Sequence, residues 1–457
     1  MLFVLGCAVY WPSLDNYFIA DDLTELDFLR HYRGSWLVFL DPSKMFSDLV
    51  THSRYRPVYV YYKWALSALF HEDVLGYHVL SLGLHALAGV AVLILAWRLF
   101  SDRLTAVTAA VLFVIWRLQS QMVVWIACNY RIVSVALVLW GIVALYGRRR
   151  TLGIACCVGS LVLAIGMNPE LVVVPAILGC FAVYYRVGRG AEPELGRRFA
   201  VATAGHVLVT IGFVIATRIS SRIYPVKAVS GTPDLARMLR FLANLFVPFE
   251  CPLGAKLAIV ALIFVVVLYL RDARLLLLAA IVSGCALTWG FFRAYTLTPR
   301  YLYLASPFAS ILLGRFASRF SERASAWLRD ERLPAFLRPG ERRRWAVLAL
   351  LVVPLVFANV RAIVTLDLVH FEYLALLGQR LSDVQREARQ RGEPARVFID
   401  PASHLAQGDM DFFHPEIEFV DSPQAATRIV ETDVERYRRR LGPNMADDYW
   451  FMPWFNQ

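Results

Sequence analysis

Long apolar blocks alternate with short polar segments over most of the chain. Three of these blocks, residues 79–99, 253–270 and 345–360, are almost uninterrupted in their apolar character. An α-helix rises about 1.5 Å per residue, so a block of about 20 residues crosses the roughly 30 Å hydrocarbon layer of a bilayer. An amphipathic surface helix would instead show a polar face. The blocks therefore predict membrane-spanning helices.

The whole pattern predicts about eleven membrane-spanning helices followed by a region of different character. In that last region, helical periodicity is followed by two short strand patterns and a second helix. We therefore expect an all-α polytopic membrane domain over residues 1–365 and a small α/β domain over residues 366–457. The expected spans lie near residues 2–14, 75–99, 104–119, 122–146, 151–167, 170–186, 199–217, 253–270, 274–292, 300–316 and 345–363, and the carboxyl-terminal elements near 371–391, 396–400, 417–421 and 432–441.

Composition agrees with a membrane class. Of the 457 residues, 58% are hydrophobic and 18% are charged, whereas soluble domains carry roughly a quarter charged residues. A net charge of +11 would suggest a nucleic-acid partner in a soluble protein. Here the basic residues lie in short segments between apolar blocks, where membrane topology explains them and no nucleic acid is expected. The seven cysteines show no zinc-binding spacing.

The basic residues occupy alternate loops, and this orients the predicted spans. Residues 315–344 carry nine arginines against four acids. Cationic loops are retained on the cytoplasmic side, which predicts a cytoplasmic amino terminus. The large loops 13–73 and 218–252 and the domain 366–457 are then extracytoplasmic. Arginine far outnumbers lysine, as in GC-rich prokaryotic genomes, so we expect the plasma (bacterial inner) membrane.

Asp21 and Asp22 follow the first predicted span and are candidates for a general base. Each carboxylate raises the pKa of its neighbour, and partial burial raises it further, which suits proton abstraction. Asp22 and Glu25 also fit an N-cap with its capping box. The two interpretations are compatible, since a cap holds a carboxylate in place.

Further polar residues lie at or near predicted helix ends. Arg56 precedes Pro57, which suits the start of a helix, and a cation there makes a plausible phosphate site. The aromatic run that follows is typical of a membrane-boundary belt. His78 and His85 share one face of the second span. They are two turns apart without an acid ligand, so interhelical hydrogen bonding is favoured over a metal site.

An ordered set of short motifs over residues 15–305 is similar to a known enzyme family. The set resembles the membrane O-mannosyltransferases that carry tetratricopeptide repeats, and more broadly the C-type superfamily of polyprenyl-phosphate-dependent glycosyltransferases. The repeats themselves are absent, and residues 366–457 stand in their place. The matching elements are Asp15-Asn16, Phe18, Asp21-Asp22, Tyr55-Arg56-Pro57, Tyr77-His78, His85-Ala86, Trp125-Ile126-Ala127, Glu170 and Arg300-Tyr301-Leu302-Tyr303-Leu304.

The chain also departs from the family pattern. Gln121 stands where the relatives carry a glutamate, and Pro169 where they carry a lysine. Asn129, Tyr130 and Arg131 stand where a Gly-Arg-x-Asp pattern is expected.

The resemblance implies transfer of a mannose-like monosaccharide from a polyprenyl-phosphate donor to an acceptor hydroxyl on the outer face, with inversion. The acceptor is a protein, a lipid or a glycan. No cofactor is required, and a divalent metal is compatible with the aspartate pair but not indicated. The implied residues are Asp22 as base, with Asp21 orienting the acceptor, Arg56, Arg131, Arg293 and Arg300 at the donor phosphate, and Glu170, His78, His85 and Tyr55 positioning substrate.

Structural roles compete with several of these assignments. A salt bridge or an interfacial anchor is favoured over phosphate contact for Arg131 and Arg293. Glu170 also fits an acid that complements a helix dipole in its first turn.

Two other functions remain open from the sequence. The departures at Gln121 and Pro169 are compatible with a non-catalytic partner that recruits acceptor through residues 366–457. A flippase or transporter of lipid-linked sugars is less favoured. Such proteins place polar groups near mid-membrane and often repeat one half of the fold in the other, and neither feature is evident.

Overall fold

The computed structural model describes residues 1–18, 22, 56–187, 192–223, 235–247, 252–292, 302–327, 341–392, 395–399, 417–419, 424 and 426–430. These ranges are almost entirely helical. Their α-helices are α1 Leu2–Tyr10, α2 Pro57–Phe70, α3 Val74–Phe100, α4 Arg103–Ile115, α5 Ser120–Val124, α6 Asn129–Leu145, α7 Arg150–Met167, α8 Val174–Val187, α9 Pro193–Ile223, α10 Leu235–Phe246, α11 Leu253–Leu270, α12 Ala273–Phe292, α13 Ser306–Trp327, α14 Glu341–Ala362 and α15 Leu368–Arg391.

Short segments of other helical type join several of these helices. The 3₁₀ turns are Trp11–Ser13, Arg117–Gln119, Ile126–Cys128 and Pro169–Val173, and Ile363–Asp367 is a π-helical segment between α14 and α15.

Seven helical segments of the described ranges are long and apolar enough to cross a membrane. The number rises to eight if the bent pair Arg103–Ile115 and Arg117–Val124 forms one span. Leu262, Val265 and Leu268 of α11 are each at least 60% exposed, as expected for side chains that face lipid rather than water. The protein is therefore an all-α polytopic membrane protein. Eleven spans stay a prediction, because Leu2–Ser13 and Ala273–Ala286 are shorter apolar helices.

Helix α3 lies at the centre of the bundle and packs against α1, α4 and α6. Helices α4 and α13 pack closely together at Gly314. A Cβ atom there would lie 2.9 Å from the Ala109 amide nitrogen and from the Thr105 carbonyl oxygen. Only glycine fits this crossing, as is common where membrane helices pack through small residues.

A polar cluster around Asp102 ties one end of the bundle together. The Asp102 carboxylate accepts hydrogen bonds from Thr105 Oγ1 at 2.6 Å, from Arg315 Nη1 at 3.1 Å and from Ser318. Arg344 Nη2 lies 3.8 Å away. Burial alone would raise the pKa of Asp102, but these hydrogen bonds and positive charges outweigh it and hold the pKa below its ordinary value. The end of α3 and the arginine-rich segment thus lie on the same side, as the alternation of basic loops predicts.

The helix is interrupted between α4 and α5, near the end of the span predicted at residues 104–119. The two helical pieces bend by 49°, and Trp116 between them has extended backbone. The break leaves the Val114 carbonyl near a helix end, where it accepts from His85 Nε2 at 3.1 Å. His85 Nδ1 therefore accepts from the Tyr303 hydroxyl at 2.8 Å. The span predicted near residues 104–119 thus contains an interruption that these hydrogen bonds compensate, and its boundary at 119 stays a prediction.

Helix α15 is followed by three short parallel strands, β1 Ala395–Ile399, β2 Ile417–Phe419 and β3 Arg428–Val430. They form one sheet in the order β2-β1-β3. The helix and the two strands predicted near 371–391, 396–400 and 417–421 are present. The predicted helix near 432–441 lies outside the described residues, so a separate α/β domain stays a prediction.

Candidate active site

Asp22 is buried, with 2% of its surface exposed, and its carboxylate accepts a hydrogen bond from the backbone N–H of Ala127. Ala127 lies in the 3₁₀ turn Ile126–Cys128, which follows the extended backbone of Trp125. This turn therefore presents an N–H group to a carboxylate more than a hundred residues earlier in the chain.

Lys63 binds the other end of the same peptide group, and sequence analysis did not identify it. Its Nζ atom donates to the Ile126 carbonyl oxygen at 2.7 Å, and only 4% of the residue is exposed. The Ile126 carbonyl and the Ala127 N–H belong to one planar peptide unit. Lys63 is one of four lysines in the chain. A lone ammonium among the aromatic residues of an apolar helix was the available signal.

Arg56 immediately precedes α2, in which Pro57 is the first residue. Its guanidinium carbon lies 5.6 Å from the Tyr59 ring centroid and 5.7 Å from that of Tyr130, within cation–π range. Its Nε atom is buried without a hydrogen-bond partner. No carboxylate of the described part of the chain forms an ion pair with Arg56. Contact between Arg56 and a donor phosphate stays a prediction.

Arg131 and Glu170 form a bidentate ion pair in which each side chain is 5% exposed. Arg131 Nη2 donates to Glu170 Oε1 at 2.9 Å, and Nη1 donates to Oε2. The Arg131 guanidinium also lies 5.4 Å from the Tyr130 centroid, so this ring contacts both Arg56 and Arg131. The salt bridge that sequence analysis favoured for Arg131 is present.

Asn168 and Pro169, at the start of a turn, position Glu170 for this ion pair. Asn168 Oδ1 accepts from the Glu170 N–H at 3.2 Å, and Pro169 is the first residue of the turn Pro169–Val173. Proline suits that position because its ring fixes φ and no N–H is needed there. The replacement of the family's lysine by Pro169 is thus compatible with a well-formed turn at Glu170.

The two histidines serve contacts between chain segments. His78 Nε2 lies 3.1 Å from the Asn16 carbonyl oxygen and joins α3 to the segment that leads to Asp22. His85 lies two turns further along α3, about 10 Å deeper in the bundle, where it bonds Tyr303 and Val114. Interhelical hydrogen bonding, the favoured interpretation, is confirmed for His85. Direct contact of either histidine with substrate stays a prediction.

Four of the implied residues, Asp21, Tyr55, Arg293 and Arg300, lie outside the described residues. Their roles stay predictions. Over the ranges that are described, no three His, Cys, Asp or Glu side chains come together as a metal site.

No family model matches the sequence, and no curated protein matches it. The fold was compared with solved structures, and two of the similar ones are of the oligosaccharyltransferase of Archaeoglobus fulgidus. One is the archaeal oligosaccharyltransferase AglB in complex with an inhibitory peptide and a dolichol-phosphate, with a TM-score of 0.45 and 11% identity over 93% of this chain. The other is the enzyme tethered to an acceptor peptide containing the NVT sequon, with a TM-score of 0.46 and 12% identity over 93% of this chain.

This chain spans 64% and 63% of the lengths of those two chains. Both TM-scores are below 0.5, so no residue role is transferred from these structures.

Proposed function

We propose that this protein is a membrane glycosyltransferase that moves a monosaccharide from a polyprenyl-phosphate donor to an acceptor hydroxyl on the outer face. One observation carries the proposal. The buried carboxylate of Asp22 and the guanidinium of Arg56, which pairs with no carboxylate among the described residues, both contact residues 126–131. Asp22 binds the backbone of Ala127, and Arg56 lies against the ring of Tyr130.

The two groups match the two requirements of the reaction. The acceptor oxygen attacks the anomeric carbon, the carbon–oxygen bond to phosphate breaks, and the acceptor proton passes to Asp22. The leaving phosphate carries its own negative charge, so it needs a cation rather than a strong acid. Arg56 supplies that cation. A single displacement of this kind inverts the anomeric centre.

The remaining assignments rest on the resemblance. Arg300 and Arg293 are proposed to add donors at the phosphate, Tyr55 to contact the substrate, and Asp21 to orient the acceptor. The preference for a mannose-like sugar rests on the same resemblance. The Arg131–Glu170 pair is proposed to hold Tyr130 in place beside Arg56, and Arg131 to reach the phosphate only through an exchange of partners.

Purified protein in liposomes, supplied with radiolabelled polyprenyl-phosphate mannose and a membrane extract as acceptor source, tests the proposal. The expected result is a new labelled glycoconjugate with wild-type protein and with Asp73→Asn, and none with Asp22→Asn. Asp73 is a matched control, because it is an exposed carboxylate just before α3 whose side chain makes no cap hydrogen bond.

The other functions give different results. A flippase would move labelled donor across the bilayer without making product. A non-catalytic partner would do neither.

A further inference from the structure

We infer that Lys63 is a positioning residue for Asp22 and acts through the peptide group between Ile126 and Ala127. The inference rests on the proposed function, since it assigns Lys63 a part in presenting the base. It adds a residue to which neither the motifs nor the family resemblance gives a role.

The geometry places the two side chains on opposite ends of one rigid unit. Lys63 Nζ donates to the carbonyl oxygen of the unit at 2.7 Å, and the N–H of the unit donates to Asp22. A peptide unit is planar, with its C=O and N–H pointing in nearly opposite directions. Fixing the carbonyl with an ammonium therefore fixes the direction in which the N–H meets the carboxylate.

The peptide group needs this support because no regular helix holds it. Trp125 is extended, and Ile126–Cys128 forms a single 3₁₀ turn in which the Asn129 N–H donates to the Ile126 carbonyl. That carbonyl has a second lone pair, which the ammonium of Lys63 occupies. Hydrogen bonds at the two ends of one amide polarise each other, so the ammonium also strengthens the N–H as a donor to Asp22.

The charge of Lys63 lies close to the groups of the candidate site. Burying an ammonium near a membrane costs several kcal/mol before compensation. The Lys63 ammonium lies 5.9 Å from the Tyr59 ring, and the same ring packs against Arg56. Lys63 and the proposed phosphate cation thus lie against the same ring.

The first test compares Lys63→Met with Lys63→Arg in the liposome transfer assay. We expect Lys63→Met to lower kcat roughly ten- to hundred-fold, as for loss of a hydrogen bond to a charged group, with the donor KM unchanged. Lys63→Arg should restore most of kcat, because a guanidinium also donates to a carbonyl. An unchanged kcat in Lys63→Met would overturn the inference, and so would a raised donor KM without a lowered kcat.

Lys256→Met is the matched control. Lys256 is also a buried lysine in a helix of the bundle, 6% exposed, and its Nζ atom donates to Asn244 Oδ1 at 3.0 Å. Loss of the Lys256 ammonium should leave kcat unchanged if the effect of Lys63→Met comes from the contact of Lys63 with the Ile126 carbonyl. A fall in kcat would be expected instead if removing any buried ammonium had this effect. A fall in kcat as large as that in Lys63→Met would contradict the inference.

Amide hydrogen exchange over residues 124–130 provides a test that needs no turnover. Lys63→Met should exchange faster than wild type at Ala127, and Lys63→Arg should not. If wild-type protein transfers no sugar, the proposed function fails while this measurement still decides whether Lys63 holds the peptide group. Unchanged exchange in Lys63→Met would refute the role of Lys63 independently of the reaction.

Discussion

The buried ion pair between Arg131 and Glu170 gives a prediction whose size follows from its geometry. Both side chains are 5% exposed, and two parallel hydrogen bonds join them. Removing one partner leaves an uncompensated buried charge, which costs roughly 3–5 kcal/mol of unfolding free energy. We therefore expect Arg131→Met and Glu170→Gln each to destabilise the protein by about that amount. The double variant should be no less stable than either single variant, because no buried charge is left unpaired.

Unfolding by SDS in mixed micelles measures these differences. Arg386 and Asp383 supply the control pair, at 67% and 58% exposure, and breaking it should cost no more than about 1 kcal/mol. If the effects of the two single variants simply add in the double variant, the ion pair is not the stabilising unit. If Arg131→Met leaves stability unchanged but raises the donor KM, Arg131 contacts the phosphate directly instead.

Three further predictions concern other parts of the account. Arg56→Gln should raise the donor KM by about ten-fold, as for the loss of one charge-assisted contact, while initial rates at saturating donor change little. An unchanged KM would remove Arg56 from the phosphate site. The stability that Asp102 provides through its lowered pKa should be present above the ordinary carboxyl pKa and be lost as pH falls through the folded-state value. Asp102→Asn should therefore weaken the fall of the unfolding temperature at acid pH, and an equal pH dependence in both proteins would contradict this. A cysteine introduced at Asp73 should react with an impermeant maleimide from outside intact cells, and labelling only in inside-out vesicles would reverse the proposed topology.

The helices could be predicted wherever apolar character runs without interruption. The span expected at 253–270 coincides with α11, whose residues form one continuous apolar block. The break at Trp116 is followed by a mostly polar run from Arg117 to Gln121, which indicates an interruption but not the groups that compensate it. Its compensation comes from His85, which is 29 residues away along the chain.

The candidate site was predictable in its residue types but not in its pairings. Asp22 and Arg56 were identified from motif order and from helix-start chemistry. The pairing of Arg131 with Glu170 depends on the packing of α6 against α7 and on the turn that follows α7, and neither could be predicted from the sequence. Lys63 was missed because its acceptor is a backbone carbonyl 63 residues away, and a backbone atom leaves no sequence signal.

The central claim is that Asp22 takes the proton of the acceptor, and comparing donor binding with turnover in one variant tests it most directly. Asp22→Asn should bind radiolabelled polyprenyl-phosphate sugar as wild type does, yet its single-turnover transfer should slow roughly 10²- to 10⁴-fold, the usual contribution of a general base. Asp21→Asn should keep measurable transfer. A wild-type transfer rate in the Asp22→Asn variant would contradict the account.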